Sequence, residues 1–199
     1  ILQWQYNGQA HTDYEEFVEK ITENSADAIS AAENKPSLYP ELLKKMQAYN
    51  EKLYTDGQKE LSDPWAYQQS SFNLAEYGFD ENVIGYIEVP KIKVVLPIYL
   101  GASEENMVKG AVHMSQTSLP IGGSNTNCVI CAHRGYYGAE MFKNLVDLTE
   151  GDEVIVTNLW ETLTYKVTGT TTILDNEADK LKIQDGKEML TLFTCYIQS

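Results

Sequence analysis

Positive charge is scarce in this sequence. Of its 199 residues, 15 are Lys or Arg and 29 are Asp or Glu, so the formal net charge is −14 at pH 7. A surface of this sign repels nucleic-acid phosphates, which argues against nucleic acid as a partner, and it also argues against a basic membrane-binding face. The charge balance carries no information about the fold.

Cysteines and long apolar runs are also few. Three cysteines are too few, and odd in number, for a disulfide framework, so at least one thiol should be unpaired. Apolar runs such as VVLPIYL at 94–100 are far shorter than the ~20 residues of a membrane span. The chain opens ILQWQYNGQA, without an initiator Met or a signal-peptide pattern, so we expect a piece of a longer protein.

The first part of the chain has helical periodicity. In HTDYEEFVEKI, Thr12 precedes Glu15 by three residues, as in a capping box, and apolar residues follow at helical spacing. A second helix is predicted to begin within SLYPELLKKM and to stop at Gly57. Its apolar stripe comprises Leu42, Met46, Tyr49 and Leu53.

From about residue 83 the sequence consists of short β-branched and aromatic runs punctuated by Gly, Pro, Asn and Asp. The predicted strands are VIGYIEV, IKVVLPI, CVICAH, EVIVTN, TLTYKVT, TTTIL and EMLTLFTC. Only GAEMFKNLVDL interrupts them with helical spacing. Seven short strands predict a mainly β fold, a closed or nearly closed barrel with a helical appendage at its N-terminal side.

A cysteine and a histidine at strand ends are the main candidates for chemistry. Cys195 closes EMLTLFTC and His133 closes CVICAH. A neighbouring imidazole favours the thiolate, which is the nucleophilic form of cysteine, so the two residues suit Cys–His catalysis if the fold brings them together. A buried cysteine and a histidine with satisfied hydrogen bonds are the structural alternative. His11 and His113 carry no comparable signal.

A zinc site is a competing interpretation. Cys128, Cys131 and His133 lie in CVICAH, and Cys195 could complete four ligands. Side chains alternate between the faces of a strand, so Cys128 points away from the other two and the strand would have to break. A CxxC redox motif belongs at the start of a helix, whereas CVIC lies on a predicted strand, which argues against a redox site. We therefore expect neither a metal nor another cofactor.

Between the helices and the barrel lies the tripeptide Asp63-Pro64-Trp65. Pro64 fixes its own φ and favours an extended Asp63, which makes a stiff turn. Such a tripeptide is most often only a turn before a helix.

These motifs, together and in this order, resemble those of the class C (pilus-assembling) sortases, cysteine transpeptidases of Gram-positive cell surfaces. TLFTC is similar to their nucleophile strand and AHRG to their His-Arg-Gly motif. GYIEVPKIKVVLPIYLGAS and TSLPIGG resemble the stretches before that histidine, and AYNEKL…DPW resembles their N-terminal helix and lid. The resemblance extends from about residue 12 to 195.

The resemblance implies a sortase-like barrel of about seven or eight strands. It implies an N-terminal helical region at 1–56, a lid and connection at 57–82, and a catalytic barrel at 83–199. Cys195 would be the nucleophile and His133 the general acid/base. Asp63, Pro64 and Trp65 would form the lid, with Trp65 over the thiol and Asp63 engaging polar groups in the groove.

The resemblance also implies a reaction and a location. The enzyme would cleave an LPxTG-like sorting signal between Thr and Gly through a thioester and pass the acyl group to a pilin lysine, without a cofactor. It would act on the outer face of the cell membrane, anchored by segments outside this sequence. The alternative is a sortase-like surface domain that binds a sorting signal without turnover.

Two departures from the family pattern lead to further expectations. The family has an arginine on the strand after the nucleophile, whereas the one arginine here is Arg134, beside His133. The resemblance therefore predicts a further strand beyond Ser199. Cys131, two residues before His133, stands where the family usually has a small residue. It is predicted to share the face of His133 and to lie near enough to Cys195 for an oxidative disulfide.

Overall fold

The computed structural model describes residues 39–79, 81–136, 138–174 and 176–194, together with Glu19. The predicted first helix, apart from Glu19, and the predicted nucleophile Cys195 lie outside these residues. In the described part, a long helix precedes seven strands and one short helix. None of the described helices combines the length and the apolar character that a membrane crossing requires.

The helices are α1 (Pro40–Asp56) and α2 (Glu104–Lys109). The strands are β1 (Val83–Val89), β2 (Val94–Leu100), β3 (Ala111–His113), β4 (Thr126–Cys131), β5 (Glu153–Asn158), β6 (Thr162–Lys166) and β7 (Glu188–Phe193). These seven strands form one sheet in the order β6-β5-β1-β2-β3-β4-β7. The pairs β2–β3 and β4–β7 are parallel and the others antiparallel.

The two outer strands of the sheet, β6 and β7, approach each other and nearly close a barrel. Tyr165 on β6 donates its hydroxyl hydrogen to Glu188 on β7 at 3.1 Å. Gly122 lies at the same seam, where an added Cβ would come within 3.2 Å of the Glu188 carboxylate and 3.3 Å of Leu163. The prediction of a mainly β, nearly closed barrel is confirmed.

Helix α1 matches its sequence prediction. Pro40 opens it, and Gly57 ends it with φ +68°, a left-handed conformation that favours glycine. Leu42, Met46 and Leu53 from the predicted stripe are buried. The same face carries a buried polar residue, Asn50, which hydrogen-bonds the backbone of Leu119 with both ends of its amide.

One strand prediction and one helix prediction were wrong, and one strand was missed. TTTIL at 170–174 is irregular and largely exposed, because no strand in the described residues pairs with it. Residues 138–148 make turns and a 3-10 helix (Leu145–Asp147) instead of an α-helix, since Met141 has a left-handed φ of +39°. Strand β3 was not predicted. It has only three residues and is held by its neighbours β2 and β4.

Candidate active site

Strands β4 and β7 lie side by side in one unbroken parallel register, from Thr126 opposite Glu188 to Cys131 opposite Phe193. The contact continues one residue beyond both strands. Ala132 donates its N–H to the Phe193 carbonyl at 3.2 Å, and the Thr194 hydroxyl donates to the Ala132 carbonyl at 2.9 Å. The segments that lead to His133 and to Cys195 therefore reach the same edge of the barrel.

A buried amide fixes this register. Asn127, in β4, is fully buried. Its side-chain oxygen accepts from the Thr191 hydroxyl of β7 at 2.8 Å, and its amide nitrogen donates to the Leu181 carbonyl at 2.8 Å. A slip of β7 would take the Thr191 hydroxyl away from the buried side-chain oxygen of Asn127, at a cost of about 1–3 kcal/mol. Sequence reasoning did not anticipate this role for Asn127.

His133 lies two residues after the end of β4 and is half-buried. Its backbone carbonyl accepts from the Phe142 N–H at 3.0 Å, which ties the loop back to the strand end. Burial lowers the pKa of the His133 imidazole below the ordinary value for histidine. The ring is therefore mostly neutral at neutral pH and able to accept a proton.

The ring of Tyr136 stacks on the imidazole of His133. The ring centroids are 4.9 Å apart and the planes are inclined by 15°. Within the described residues the imidazole makes no hydrogen bond, and this stack is its aromatic contact. Nothing in the sequence pattern singled out Tyr136, since the contact depends on how the loop folds back.

Comparisons with known proteins identify the family. The Sortase domain family matches residues 87–199, more than half of the chain. The chain belongs to the sortase family. This sortase is 29% identical over 112 residues to Sortase D of Bacillus subtilis (strain 168), which covers 56% of the chain and 54% of that relative. The chain spans about half the length of the curated relatives it matches.

Solved class C sortases match over most of the chain. The Pilus Island 1 sortase C2 of Group B Streptococcus is 31% identical with a TM-score of 0.65, covering 80% of this chain and 91% of that one. Sortase C-1 of Actinomyces oris is 33% identical with a TM-score of 0.64, covering 79% and 91%. The predicted resemblance to class C sortases is confirmed.

The predicted lid of this sortase forms a compact turn. The Asp63 carboxylate accepts from the Trp65 N–H at 3.0 Å, and the Asp63 carbonyl accepts from the Ala66 N–H at 3.1 Å. A 3-10 helix (Ala66–Gln68) follows, so the turn does precede a helix. The Trp65 side chain is 72% exposed. Burial and the nearby Asp63 carboxylate raise the pKa of Tyr67.

The segment after this turn is attached to the barrel. The Tyr67 carbonyl accepts from the Ala102 N–H at 2.5 Å, and the Gln69 carbonyl accepts from the Ser115 hydroxyl. Gly101 makes the close approach possible, because a Cβ there would come within 3.0 Å of the backbone oxygens of Gln68 and Gln69. The predicted lid therefore connects to a fixed point at its C-terminal side.

The remaining candidate residues are Cys128, Cys131 and Arg134. Cys128 is a buried free thiol whose pKa is raised by burial, which makes it a poor nucleophile. The part of the chain that the structure describes holds no group of three His, Cys, Asp or Glu side chains suited to a metal. Cys131 is buried in β4, and Arg134 is half-buried in the following loop. The predicted pairing of Cys131 with Cys195 stays a prediction.

His113 is a structural residue of β3. It is fully buried, and its Nε2 lies 3.0 Å from the Ser118 carbonyl and 3.2 Å from that of Thr117. Burial lowers its pKa to about 4. A neutral His113 thus holds the turn on which α1 docks.

Proposed function

We propose that this sortase is a cysteine transpeptidase that cleaves an LPxTG-like sorting signal between Thr and Gly. Cys195 is the nucleophile and His133 the general acid/base. The acyl group passes to the side-chain amine of a pilin lysine, which polymerises pili at the outer face of a Gram-positive cell membrane. The pilus sortases among the matched structures support this substrate class.

One observation carries the proposal. The β4–β7 register continues through Ala132 and Thr194, the residues directly before His133 and Cys195. If the register extends one residue further, residues 133 and 195 lie opposite each other on neighbouring chains whose backbones are about 4.8 Å apart. Side chains that leave the same face at that backbone spacing can bring a thiol and an imidazole within the hydrogen-bond reach that proton transfer needs.

The chemistry proceeds in two acyl transfers. The Cys195 thiol gives its proton to the neutral His133 imidazole as the sulfur attacks the Thr carbonyl. The C–S bond forms, and the Thr–Gly C–N bond breaks while His133 passes that proton to the departing Gly amine. The uncharged lysine amine then attacks the thioester, the C–S bond breaks, and the proton that the amine loses passes through His133 to the displaced sulfur. The result is an isopeptide bond, with the enzyme regenerated.

The lid controls entry in this proposal. The Asp63–Trp65 turn is held by its own hydrogen bonds, and its indole is largely exposed, so the turn can shift without breaking the barrel. Trp65 covers the thiol when no sorting signal is bound and moves aside when one arrives.

The alternative is a surface domain that binds a sorting signal without turnover. The single arginine favours this alternative. The family pattern has an arginine on the strand after the nucleophile, whereas Arg134 directly follows His133. Neighbouring residues of an extended chain point in opposite directions, so Arg134 is a poor substitute. The two functions differ in whether a thioester forms.

The test is an incubation of the purified protein with an LPxTG-containing peptide and a lysine-containing acceptor peptide, followed by intact mass spectrometry. We expect an acyl adduct on Cys195 and then a joined peptide product. Cys195→Ala should abolish both, and His133→Asn should slow the reaction by about 10²–10⁴-fold.

Cys128→Ala is the matched control, because it removes a buried thiol that has no role in the reaction. It should retain the adduct. Peptide binding without any adduct, in both the native protein and a Trp65→Ala variant, would support the non-catalytic alternative.

A further inference from the structure

The loop after β4 lays an aromatic ring over one face of the His133 imidazole. The centroid separation of 4.9 Å and the inclination of 15° are those of an offset stack. Tyr136 is half-buried, so its ring is itself held against the protein. The Tyr136 ring therefore covers one face of the imidazole and lies nearly parallel to it.

The backbone keeps the two rings together. Tyr136 and Ala139 exchange two hydrogen bonds of 2.9 Å, which closes a tight turn. Gly135, between the rings, has a φ of +131°, a conformation that side chains rarely adopt, and this allows the chain to fold back. At the other side, Phe142 N–H holds the His133 carbonyl at 3.0 Å. The stack is therefore a product of a closed loop.

A catalytic imidazole needs such a partner. In Cys–His catalysis the base is oriented by a third group, usually through a hydrogen bond. Within the described residues no hydrogen bond reaches the His133 ring, whereas the Tyr136 ring lies flat against it. We propose that Tyr136 is a positioning residue that fixes the imidazole plane of His133 for proton transfer, an inference that rests on the proposed function.

The proposal assigns the effect to the ring face. Tyr136→Phe keeps the aromatic face and removes only the hydroxyl, so it should behave as the native protein does. Tyr136→Leu keeps apolar bulk but removes the face, so the imidazole can rotate. The pair of variants separates stacking from simple space filling.

The first measurement is NMR of the histidine ring protons. A stacked phenol ring shifts the His133 signals upfield. This shift should persist in Tyr136→Phe and disappear in Tyr136→Leu, while the signals of buried His113 stay in place in both. Unchanged His133 signals in Tyr136→Leu would overturn the inference, whatever the activity.

The second measurement is the steady-state kinetics of peptide transfer. Tyr136→Leu should lower kcat by about two- to ten-fold, the size expected for an aromatic pair, with KM unchanged. Tyr136→Phe should restore the native kcat. A native kcat in Tyr136→Leu, or an equal loss in Tyr136→Phe, would contradict the positioning role.

A backbone variant gives an independent test. Gly135→Ala strains the loop without touching either ring, and Gly151→Ala is its control, since Gly151 has φ +91° and nothing within 4 Å of an added Cβ. Both should destabilise the fold, but only Gly135→Ala should move the His133 signals. Equal His133 signals in the two variants would count against a loop-built stack.

The outcomes also separate the inference from the proposed function. If the native protein forms no acyl adduct while the His133 signals still move in Tyr136→Leu, the proposed function fails and the hold on the imidazole stands. If adduct formation is normal and the signals do not move, the function stands and the inference fails.

Discussion

The two parts of the segment that precedes the barrel are held in different ways. Helix α1 buries Leu42 and Met46 completely and hydrogen-bonds the barrel through Asn50. The turn at Asp63–Trp65 is held by bonds within itself and leaves its indole 72% exposed. The helix is therefore a fixed part of the fold, whereas the turn can change position at little cost.

The difference extends to the residues that follow each part. Gln58, just past α1, donates to the Gln116 carbonyl at 3.0 Å and accepts from the Ile183 N–H at 2.7 Å. The segment after the turn is anchored at Gly101. A movable turn between two anchored ends is the arrangement that a lid requires.

The largest expected effect tests whether helix α1 is a fixed part of the fold. Met46→Ala should lower the free energy of unfolding by about 2–5 kcal/mol, because it opens a cavity at a fully buried position. Urea denaturation measures the change, and Met46→Leu, which conserves volume, should cost less than about 1.5 kcal/mol. A loss for Met46→Ala no larger than for Met46→Leu would mean that α1 is not part of the core.

The next effect concerns the attachment of the proposed lid at Gly101. Gly101→Ala should cost about 1–3 kcal/mol from its left-handed φ of +91°. It should also push the Gln68–Gln69 backbone away, because the new Cβ would approach two carbonyl oxygens. The fluorescence of Trp65, with Trp4 and Trp160 replaced by Phe, reports the displacement.

The control for the anchor is Gly57→Ala. Gly57 has a similar φ of +68° and nothing within 4 Å of an added Cβ, so only the backbone strain remains. Equal fluorescence changes in the two variants would show that the close approach at Gly101 does not position the lid.

A smaller effect tests the platform on which α1 docks. The pKa of His113 is about 4 in the folded protein and near 6.5 when unfolded, so the folded state loses stability as pH falls from 6.5 towards 4. At pH 5.5 this residue alone should cost about 1.4 kcal/mol relative to pH 7.5.

The measurement compares native protein with His113→Gln in urea at both pH values. The stability difference between the two proteins should narrow by that amount on acidification. A constant difference would mean that His113 is not buried in its neutral form.

The smallest expected effect on stability comes from the turn at Asp63–Trp65. Trp65→Ala should change the free energy of unfolding by no more than about 0.5 kcal/mol, because the side chain is largely exposed. On the lid proposal it should nevertheless speed alkylation of Cys195 by iodoacetamide. Tyr54→Ala, at another exposed aromatic, is the control and should leave that rate unchanged. An unchanged rate in Trp65→Ala would remove Trp65 from the lid.

Much of the barrel could be predicted because its strands carry their own pattern. The limits of β1 and β5 coincide with the predicted runs VIGYIEV and EVIVTN. Seven strands were predicted and the described residues form seven, yet TTTIL was counted and β3 was missed. β-branched residues favour a strand only where a partner strand exists, and three residues such as β3 have too little pattern to detect.

The sequence motifs name candidate site residues, but they do not reveal the contacts that support the site. Strand-end positions indicated His133 and Cys195, since such residues reach the edge of a sheet. Asn127 and Asn50 resemble ordinary surface residues in the sequence, and only the packing shows that their amides are buried. The stack of Tyr136 depends on the φ of Gly135, which one sequence does not determine.

The proposed function requires that residues 133 and 195 lie opposite each other just beyond the ends of β4 and β7. A disulfide trap tests it directly, because adjacent strands have the α-carbon spacing that a disulfide requires. In protein that carries Cys128→Ala and Cys131→Ala, His133→Cys should form a disulfide with Cys195 on mild oxidation, seen as a loss of two hydrogens in the intact mass. If both thiols stay reduced and react fully with iodoacetamide, the two residues are not neighbours, and the proposed pairing of Cys195 with His133 is contradicted.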